Sequence, residues 1–214
     1  MDVAFSSLIL LLTLPLLILL AVGVKLSSPG PVLFCQERVG KHGRLFRILK
    51  FRSMRAGGES GSQITSRGDK RVTWFGGLLR RTKLDELPQL WNVLKGNMSL
   101  VGPRPEVPQY VRMYSPEQRE VLSVSPGITD LASIKYRHEE AILGGQADPQ
   151  KFYVEQVMPH KLRMNLAYVQ NMSFFGDLRT LLLTGVAALR LHVGEDFASC
   201  SRPSDNETKC PIAR

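Results

Sequence analysis

Cysteine is scarce in this chain, and its scarcity excludes two kinds of protein. The 214 residues contain three cysteines, Cys35, Cys200 and Cys210, and no Cys-x-x-Cys spacing occurs. Three scattered cysteines do not build the disulfide framework of a small secreted domain or a paired-cysteine zinc site. We expect free thiols in a reducing compartment, and a bond between Cys200 and Cys210 in the tail is the alternative.

The sequence also lacks internal repeats, a heptad pattern and any recognisable nucleic-acid-binding module, which argues against a repeat protein or a coiled coil. Acidic residues are outnumbered, because 28 lysines and arginines stand against 19 aspartates and glutamates and give a formal charge of +9. This charge predicts an anionic partner: phospholipid, a nucleotide or nucleic acid. Without a nucleic-acid module we expect no nucleic-acid partner, and a membrane-anchored nucleic-acid-binding protein is a rival hypothesis.

A long apolar run, residues 3–24, lies at the start of the chain with Pro15 near its middle. About 22 helical residues, at about 1.5 Å each, match the thickness of a bilayer core. No basic segment precedes the run and no clear cleavage site follows it, which argues against a signal peptide. Lys25 and the basic residues after it place the C-terminal side in the cytoplasm.

Pro15 predicts a kink near residues 11–15, because proline removes a backbone hydrogen bond and clashes with the preceding turn. Thr13 could return a side-chain hydrogen bond to the freed carbonyls. A kink alone does not distinguish a spanning helix from one that turns back inside the bilayer. From the residues alone, a spanning helix is favoured.

A basic β-hairpin is predicted next. Residues 32–39 and 45–52 have strand character, the second run alternates apolar with basic residues, and Gly40-Lys41-His42-Gly43 between them suits a turn. Lys50 and Arg52 near the end of the hairpin either form a solvated basic face or reach a phosphate.

The remaining segments predict a mostly helical protein. Glycine and serine dominate residues 56–70, which predicts a mobile loop of the kind that often acts as a lid. Residues 72–81 mix aromatic and aliphatic side chains with arginines, as in an interfacial membrane helix or an amphipathic core helix. Residues 108–122 and 159–170 predict further helices, and the apolar residues 177–191 are too short to span a membrane.

Two adjacent carboxylates, Asp85 and Glu86, precede a helix that is predicted from Pro88 and from the helical spacing of the apolar residues after it. Arg80-Arg81-Thr82-Lys83 lies just upstream, and Pro103-Arg104-Pro105 presents an arginine from a stiff segment downstream. Carboxylates ringed by arginines suit a site that holds both Mg²⁺ and phosphate. The alternative is an N-terminal helix cap with salt-bridged neighbours.

Six ordered motifs resemble those of the bacterial sugar transferases, the monotopic phosphoglycosyl transferases that begin glycoconjugate assembly on a polyprenyl phosphate. The motifs are Pro29-Gly30-Pro31-Val32, Gln36-Glu37-Arg38-Val39-Gly40, Lys50-Phe51-Arg52-Ser53-Met54, Leu84-Asp85-Glu86-Leu87-Pro88-Gln89-Leu90, Met98-Ser99-Leu100-Val101-Gly102-Pro103-Arg104-Pro105 and Pro126-Gly127-Ile128-Thr129. The resemblance covers the chain to about Leu191. It is to the short form of the family, which has no additional multi-helix membrane domain.

The resemblance implies a two-step reaction. A UDP-sugar gives its sugar 1-phosphate to an enzyme carboxylate and releases UMP, and undecaprenyl phosphate then takes the sugar phosphate. Asp85 is implied as the nucleophile and Glu86 as its partner, and both as ligands of Mg²⁺. The implied substrate-binding residues are Lys50, Arg52, Arg80, Arg104 and Arg137, with Pro103 and Pro105 shaping the loop.

The resemblance also implies an α+β, mostly helical monotopic membrane protein with interfacial amphipathic helices. Residues 1–26 would form a re-entrant helix broken at Pro15, residues 27–191 the catalytic domain, and residues 192–214 a disordered tail. Both ends of the helix would face the cytoplasm, and the domain would lie on the lipid of the bacterial inner membrane. A homodimer is left open. The alternative is a non-catalytic, membrane-tethered scaffold of the same fold.

The chain departs from the family pattern at several positions. Leu14 stands where serine is usual before the proline, and Asn97 and Asn165 stand where aspartate is frequent. Asp130-Leu131-Ala132-Ser133 replaces the more usual Gly-x-Ala-Gln. We expect residues 129–137 to contribute to the choice of donor sugar.

Overall fold

The computed structural model describes residues 2–55 and 69–189. Within these ranges the helices and strands are α1 (Asp2–Ser27), β1 (Leu33–Val39), β2 (Leu45–Phe51), α2 (Trp74–Thr82), α3 (Gln89–Leu94), β3 (Ser99–Val101), α4 (Pro108–Val111), β4 (Gly127–Thr129), α5 (Leu131–Lys135), α6 (Glu139–Gly144), α7 (Pro149–Phe152), α8 (Met158–Gln170) and α9 (Phe174–Leu189). Short 3₁₀ turns at Lys41–Gly43, Leu84–Glu86 and Gln118–Ser123 and a π-helical turn at Tyr153–Val157 connect them. The chain is mostly helical with a few short strands, as predicted. The predicted tail, residues 192–214, and the predicted loop, apart from residues 69 and 70, lie outside the described residues.

α1 is one helix that continues through Pro15, so the structure shows no interruption at the predicted break. The hydroxyl of Thr13 donates to the carbonyl oxygen of Ile9 over 2.7 Å. The carbonyl that Pro15 leaves without an amide donor belongs to Leu11, so the predicted hydrogen bond forms with a different acceptor. It is the i−4 bond that a helical threonine usually makes. Of the described helices, α1 is the one long and apolar enough to cross a membrane by length and composition.

α1 lies lengthwise against the rest of the molecule. The residues that pack inward recur every three or four positions, as one face of a helix does: Ile9, Leu10, Leu17, Leu20, Ala21 and Val24. The first two reach the hydrophobic cluster of α3 and β3, and the other four reach the cluster of β2 and α2. The outer face exposes Phe5, Leu12, Leu19 and other large apolar side chains. Both halves of α1 are therefore attached to the protein, while an apolar face points outward.

The predicted hairpin is confirmed. β1 and β2 pair antiparallel, with Leu33 opposite Phe51 and Val39 opposite Leu45. Asn92 on α3, which is 2% exposed, fastens the hairpin to that helix. Its side-chain oxygen accepts from the Leu49 amide over 3.0 Å and its nitrogen donates to the Arg47 carbonyl over 2.8 Å. The end of β2 is thereby held beside the helix that follows the two carboxylates.

β3 and β4 form a short parallel pair that the sequence does not predict. Ser99 lies opposite Gly127 and Val101 opposite Thr129, whereas residues 125–130 predict only a turn, because three residues are too few to show strand periodicity. A side chain at Gly127 would overlap the backbone of Gly102, so the close approach of the two strands requires glycine. The pair brings the segment after β3 beside the segment after β4.

The prediction of one helix over residues 108–122 is wrong. α4 ends at Val111, and a 3₁₀ turn, Gln118–Ser123, follows after a gap. Pro116 lies between them, and proline both lacks an amide donor and disfavours the helical conformation of the residue before it. The helices predicted at residues 159–170 and 177–191 are present as α8 and α9, the latter beginning already at Phe174.

α9 has one face on the protein and one exposed. The hydroxyls of Thr184 on α9 and Thr129 on β4 are hydrogen-bonded at 2.7 Å, and Leu181 packs against the cluster of α3 and β3. Its exposed apolar side chains recur at helical spacing: Phe174, Phe175, Leu178, Leu182 and Val186. α1 and α9 thus both contact β3 and both expose apolar faces.

Candidate active site

The two carboxylates lie in a tight connection between two helices. α2 ends at Thr82, Lys83 adopts a left-handed conformation with φ 59°, and Asp85 and Glu86 follow in a 3₁₀ turn before α3 begins at Gln89. The two residues are only 8% and 9% exposed. The sequence predicts them at the start of a helix. The structure adds the 3₁₀ turn, which buries both of them.

Glu86 is held by two cations from different parts of the chain. Its Oε1 accepts from Lys50 Nζ on β2 over 3.1 Å and from Arg104 Nη2, and its Oε2 accepts from Arg104 Nη1 over 3.2 Å. Burial disfavours the ionised carboxylate, but Arg104 and Lys50 outweigh that effect and hold the pKa of Glu86 well below its usual value. Glu86 is therefore an ionised carboxylate that forms a bidentate ion pair with Arg104.

Asp85 is in the opposite situation. Its Oδ1 is buried and has no hydrogen-bond partner among the described residues. Burial, followed by the negative charge of Glu86, raises the pKa of Asp85 above its ordinary value. Two neighbouring carboxylates are thus separated in role: Glu86 is neutralised by cations, whereas Asp85 keeps an oxygen free to bind a cation or attack an electrophile.

Lys50 and Arg104 complete a compact group of charges. Burial lowers the pKa of Lys50 and repulsion from Arg104 adds to this effect, while attraction to Glu86 partly opposes it. Attraction to Glu86 raises the pKa of Arg104 against the effect of burial. The group can therefore offer two positive charges to a phosphate placed next to Asp85, provided that the substrate shares them with Glu86.

The end of the segment Pro103-Arg104-Pro105 is fixed by a hydrogen-bond network that the sequence does not predict. Arg38 Nη1 donates to the Pro105 carbonyl over 3.2 Å and to Glu106 Oε1 over 3.3 Å. The Tyr153 hydroxyl donates to the other oxygen of Glu106 over 2.5 Å. Arg38, Glu106 and Tyr153 are far apart in sequence, and no sequence pattern connects them. Their contact becomes visible only in the folded structure.

The other residues predicted to bind substrate lie at different distances from the carboxylates. Arg80 is paired with Glu140 of α6 at 2.5 Å, although its charge also acts on Asp85. Arg52 is buried and donates to the carbonyl and hydroxyl oxygens of Ser28 over 2.6 and 3.0 Å, which ties the end of β2 to the end of α1. Arg137 is half-buried between α5 and α6. The structure therefore brings together Asp85, Glu86, Lys50 and Arg104, with Arg80 close by, but not Arg52.

A magnesium ion fits this site through Asp85. Mg²⁺ binds oxygen ligands and usually takes one or two carboxylates together with substrate phosphates. The buried, unpartnered oxygen of Asp85 meets that requirement, whereas both oxygens of Glu86 already accept from cations. Across residues 2–55 and 69–189 there is no cluster of three or more histidine, cysteine, aspartate or glutamate side chains that could hold a metal alone. Phosphate oxygens and water would supply the other ligands.

Comparison with known proteins identifies the family of the chain. The family model described as bacterial sugar transferase matches residues 1–190. The chain belongs to the bacterial sugar transferase family. The dyad of Asp85 and Glu86, the cations Lys50 and Arg104 and the apolar helix α1 all lie within the matched residues of the family.

Several curated members of the family are similar to the chain. It is 41% identical over 181 residues to the UDP-glucose:undecaprenyl-phosphate glucose-1-phosphate transferase of Xanthomonas campestris pv. campestris, covering 82% of the chain and 35% of that protein. It is 40% identical over 189 residues to the enzyme of the same name from Caulobacter vibrioides, covering 86% of the chain and 66% of that protein. The exopolysaccharide production protein PSS of Rhizobium leguminosarum bv. phaseoli is 39% identical over 194 residues, 86% of the chain and 92% of that protein. The chain thus spans about one third and about two thirds of the length of the first two relatives.

Proposed function

We propose that the chain transfers a sugar 1-phosphate from a UDP-sugar to undecaprenyl phosphate, as the first membrane step of glycoconjugate or exopolysaccharide synthesis. The names of the relatives from Xanthomonas and Caulobacter describe such a transfer with UDP-glucose, and the name of the Rhizobium relative describes exopolysaccharide production. The observation that carries the proposal is the free Oδ1 of Asp85 beside a Glu86 held by Lys50 and Arg104.

The reaction takes place in two displacements at one phosphorus atom. In the first, an ionised oxygen of Asp85 attacks the phosphorus that carries the sugar, the bond to the oxygen of the UMP phosphate breaks, and UMP leaves with the electron pair. In the second, an oxygen of undecaprenyl phosphate attacks the same phosphorus and the bond to Asp85 breaks. The product is a polyprenyl diphosphate sugar, and the carboxylate is restored for the next cycle.

The cations of the site have the task of neutralising phosphate charge, since both attacking groups and the donor are anionic. Lys50 and Arg104 both bind the carboxylate of Glu86, which holds them in place before substrate arrives. Arg80 and Arg137 are further candidates for nucleotide contact, and Pro103 and Pro105 keep Arg104 on a stiff segment. When bound, Mg²⁺ would add positive charge at the diphosphate next to Asp85.

The exposed apolar faces of α1 and α9 suit a domain that lies in one leaflet of the bacterial inner membrane with its site facing the cytoplasm. α1 contacts the rest of the protein along both of its halves, and the charge of Asp2 at its start acts on Tyr168 of α8. This attachment argues against a helix that leaves the domain to span the bilayer, whereas re-entry would need a break at Pro15 that α1 does not show.

The reaction is tested with the Asp85→Asn variant. We expect the unmodified chain to release UMP from a UDP-sugar in the presence of Mg²⁺, and the variant to release none while keeping its secondary structure. Mass analysis after incubation with donor alone should show a phosphosugar on Asp85 of the unmodified chain. Turnover by the variant would remove the assigned nucleophile, and no UMP release with any donor plus lipid phosphate would favour the non-catalytic scaffold.

Topology is tested by labelling a cysteine placed at residue 2, in a background in which the native cysteines are replaced. A membrane-impermeant thiol reagent should reach Asp2→Cys from the cytoplasmic side. Labelling from the opposite side only would establish a spanning helix.

A further inference from the structure

The segment that presents Arg104 has a single backbone donor. Pro103 and Pro105 have no amide N–H, so the amide of Arg104 is the one backbone hydrogen-bond donor of these three residues. Asp130, which is 2% exposed, accepts this bond at its Oδ2 over 3.2 Å. A buried aspartate thus anchors the backbone of the arginine whose side chain binds Glu86.

Asp130 uses its second oxygen elsewhere. Its Oδ1 accepts from the amide of Ser133 over 2.5 Å and caps the N-terminus of α5. Asp130 follows directly on β4, and the amide of Gly102 donates to the Thr129 carbonyl over 3.1 Å, so the parallel strand pair sets its distance from Arg104. One carboxylate therefore joins α5, β4 and the arginine segment.

The two oxygens of Asp130 are engaged by two different amides, and this distinguishes it from an ordinary helix cap. Asp148 caps α7 in the same way, because its Oδ1 accepts from the Lys151 amide over 3.0 Å. However, Asp148 is exposed and lies on a helix without a predicted site residue. The chain thus contains a cap that lacks the second bond.

We propose that Asp130 is a positioning residue for the transfer reaction: it fixes the backbone of Arg104, so that the guanidinium stays aimed at Glu86 and at the phosphate that Asp85 attacks. The inference rests on the proposed function. Asp130 itself does not touch substrate. It acts through Arg104. Asp130 belongs to the segment in which the sequence departs from the family pattern, and the contact with Arg104 connects that segment to the reaction.

The experiment uses Asp130→Asn, with Asp148→Asn as the matched control. Asparagine caps a helix about as well as aspartate, but it has one acceptor oxygen and cannot serve both amides. We expect D130N to lower kcat/KM by roughly tenfold to a hundredfold, mainly through kcat, because small misplacements of a catalytic cation are costly. We expect D148N to stay within about twofold of the unmodified chain.

A second variant background, Arg104→Lys, distinguishes an effect on the position of Arg104 from a general loss of structure. In Arg104→Lys the bidentate contact is lost while the backbone amide is kept. If Asp130 acts through Arg104, D130N should lower kcat/KM much less in R104K than in the unmodified chain. The same loss in both backgrounds would overturn the inference.

A third measurement does not depend on activity. In protein labelled with ¹⁵N-arginine, the Arg104 amide is the resonance that disappears in R104K, and its hydrogen exchange reports the bond to Asp130. We expect faster exchange in D130N and unchanged exchange in D148N. If D130N does not fold, Asp130→Ser, which also caps helices but has a single oxygen, replaces it.

The outcomes distinguish the inference from the proposed function. Normal UMP release by the unmodified chain, together with a D130N variant that matches D148N in kcat/KM and exchange, overturns the inference alone. No UMP release by the unmodified chain overturns the proposed function and with it the role of Asp130 in positioning Arg104 for the reaction.

Discussion

Lys50 Nζ on β2 donates to Glu86 Oε1 over 3.1 Å, across 36 positions of sequence. This bond closes the site, because it joins the hairpin to the turn between α2 and α3. Arg104 binds the same carboxylate, so Glu86 is the shared negative partner of two cations. The carboxylate of Glu86 therefore contributes to stability as well as to the arrangement of the site.

Replacing Glu86 by glutamine should destabilise the protein. A neutral amide leaves Lys50 and Arg104 close together without a negative partner, and breaking a buried ion pair in this way lowers the free energy of unfolding by about 3 kcal/mol. Denaturant unfolding in detergent measures the change. Glu155→Gln is the control, because its pair with Lys151 spans 4.0 Å and is exposed, so that its loss should change stability by less than about 0.5 kcal/mol. Equal effects of the two variants would contradict the role of Glu86.

The stabilising effect of Glu86 should depend on pH. Because its pKa in the folded protein is well below the unfolded value, the unfolded chain binds more protons at acidic pH, and stability is lost as the pH falls. The contribution is complete above the ordinary glutamate pKa of about 4.3 and disappears as the pH falls through the lower folded pKa. The difference in unfolding free energy between the unmodified chain and E86Q, measured without metal or substrate, should therefore shrink in acid. A constant difference would show that Glu86 is not an ionised partner.

Asp85→Asn should make the protein more stable at neutral pH, although it abolishes UMP release. Burial and the charge of Glu86 raise the pKa of Asp85 in the folded state, so ionised Asp85 opposes folding above the ordinary aspartate pKa, and a neutral amide of the same shape removes that opposition. Thermal unfolding in EDTA should give a higher midpoint for D85N than for the unmodified chain at pH 7. The gain should vanish near pH 4, where the unfolded carboxyl of about pKa 3.9 is also becoming neutral. A lower midpoint at pH 7 would mean that Asp85 has a favourable partner.

The motif residues and local patterns predicted much of the site. Lys50 and Arg104, both on the motifs, contact Glu86 next to Asp85, while their roles in the reaction stay predictions. The hairpin that carries Lys50 follows from alternating residues and a glycine turn. The sequence predicts Asp130 at the end of a turn, in the segment expected to contribute to the choice of donor sugar, and does not predict its contact with Arg104.

The contacts that fix Arg104 could not be predicted, because they depend on long-range pairing. β3 and β4 are three residues each and have no periodicity to detect. Arg38, Glu106 and Tyr153 are separated by dozens of residues, and nothing in their local sequence indicates that they meet. Such interactions become visible only when the whole core is assembled.

Arg52 is expected to support the fold rather than the substrate. Two of its nitrogens have no hydrogen-bond partner in the described part of the chain, and the third binds Ser28. Arg52→Ala should lower the free energy of unfolding by about 2 kcal/mol through loss of charged hydrogen bonds, while kcat/KM of the folded protein changes by less than about threefold. Lys50→Ala is the comparison, and it should reduce kcat/KM by at least roughly tenfold. A loss of activity in R52A as large as in K50A, without loss of stability, would instead support the phosphate contact that the motif implies.

The adjacent glycines of α2 should respond to alanine in opposite ways. A side chain at Gly76 would overlap the backbone of Ser53, which follows β2, whereas the nearest atom to a side chain at Gly77 is Val72 Cγ1 at 3.9 Å. Gly76→Ala must push α2 away from the hairpin and should lower the free energy of unfolding by about 2 kcal/mol. Gly77→Ala keeps the packing and improves helix propensity, so it should stabilise the protein by about 0.5–1 kcal/mol.

The activity of the two glycine variants should follow the same division, because α2 leads directly into Lys83 and the two carboxylates and carries Arg80. A displaced α2 would move Asp85 relative to Lys50, so G76A should lower kcat/KM even under conditions in which it is fully folded, and G77A should leave it unchanged. Unfolding curves and UMP release on the two variants measure both effects. If G76A and G77A behave alike, the contact of α2 with Ser53 does not position the site, since helix propensity is the same for both substitutions.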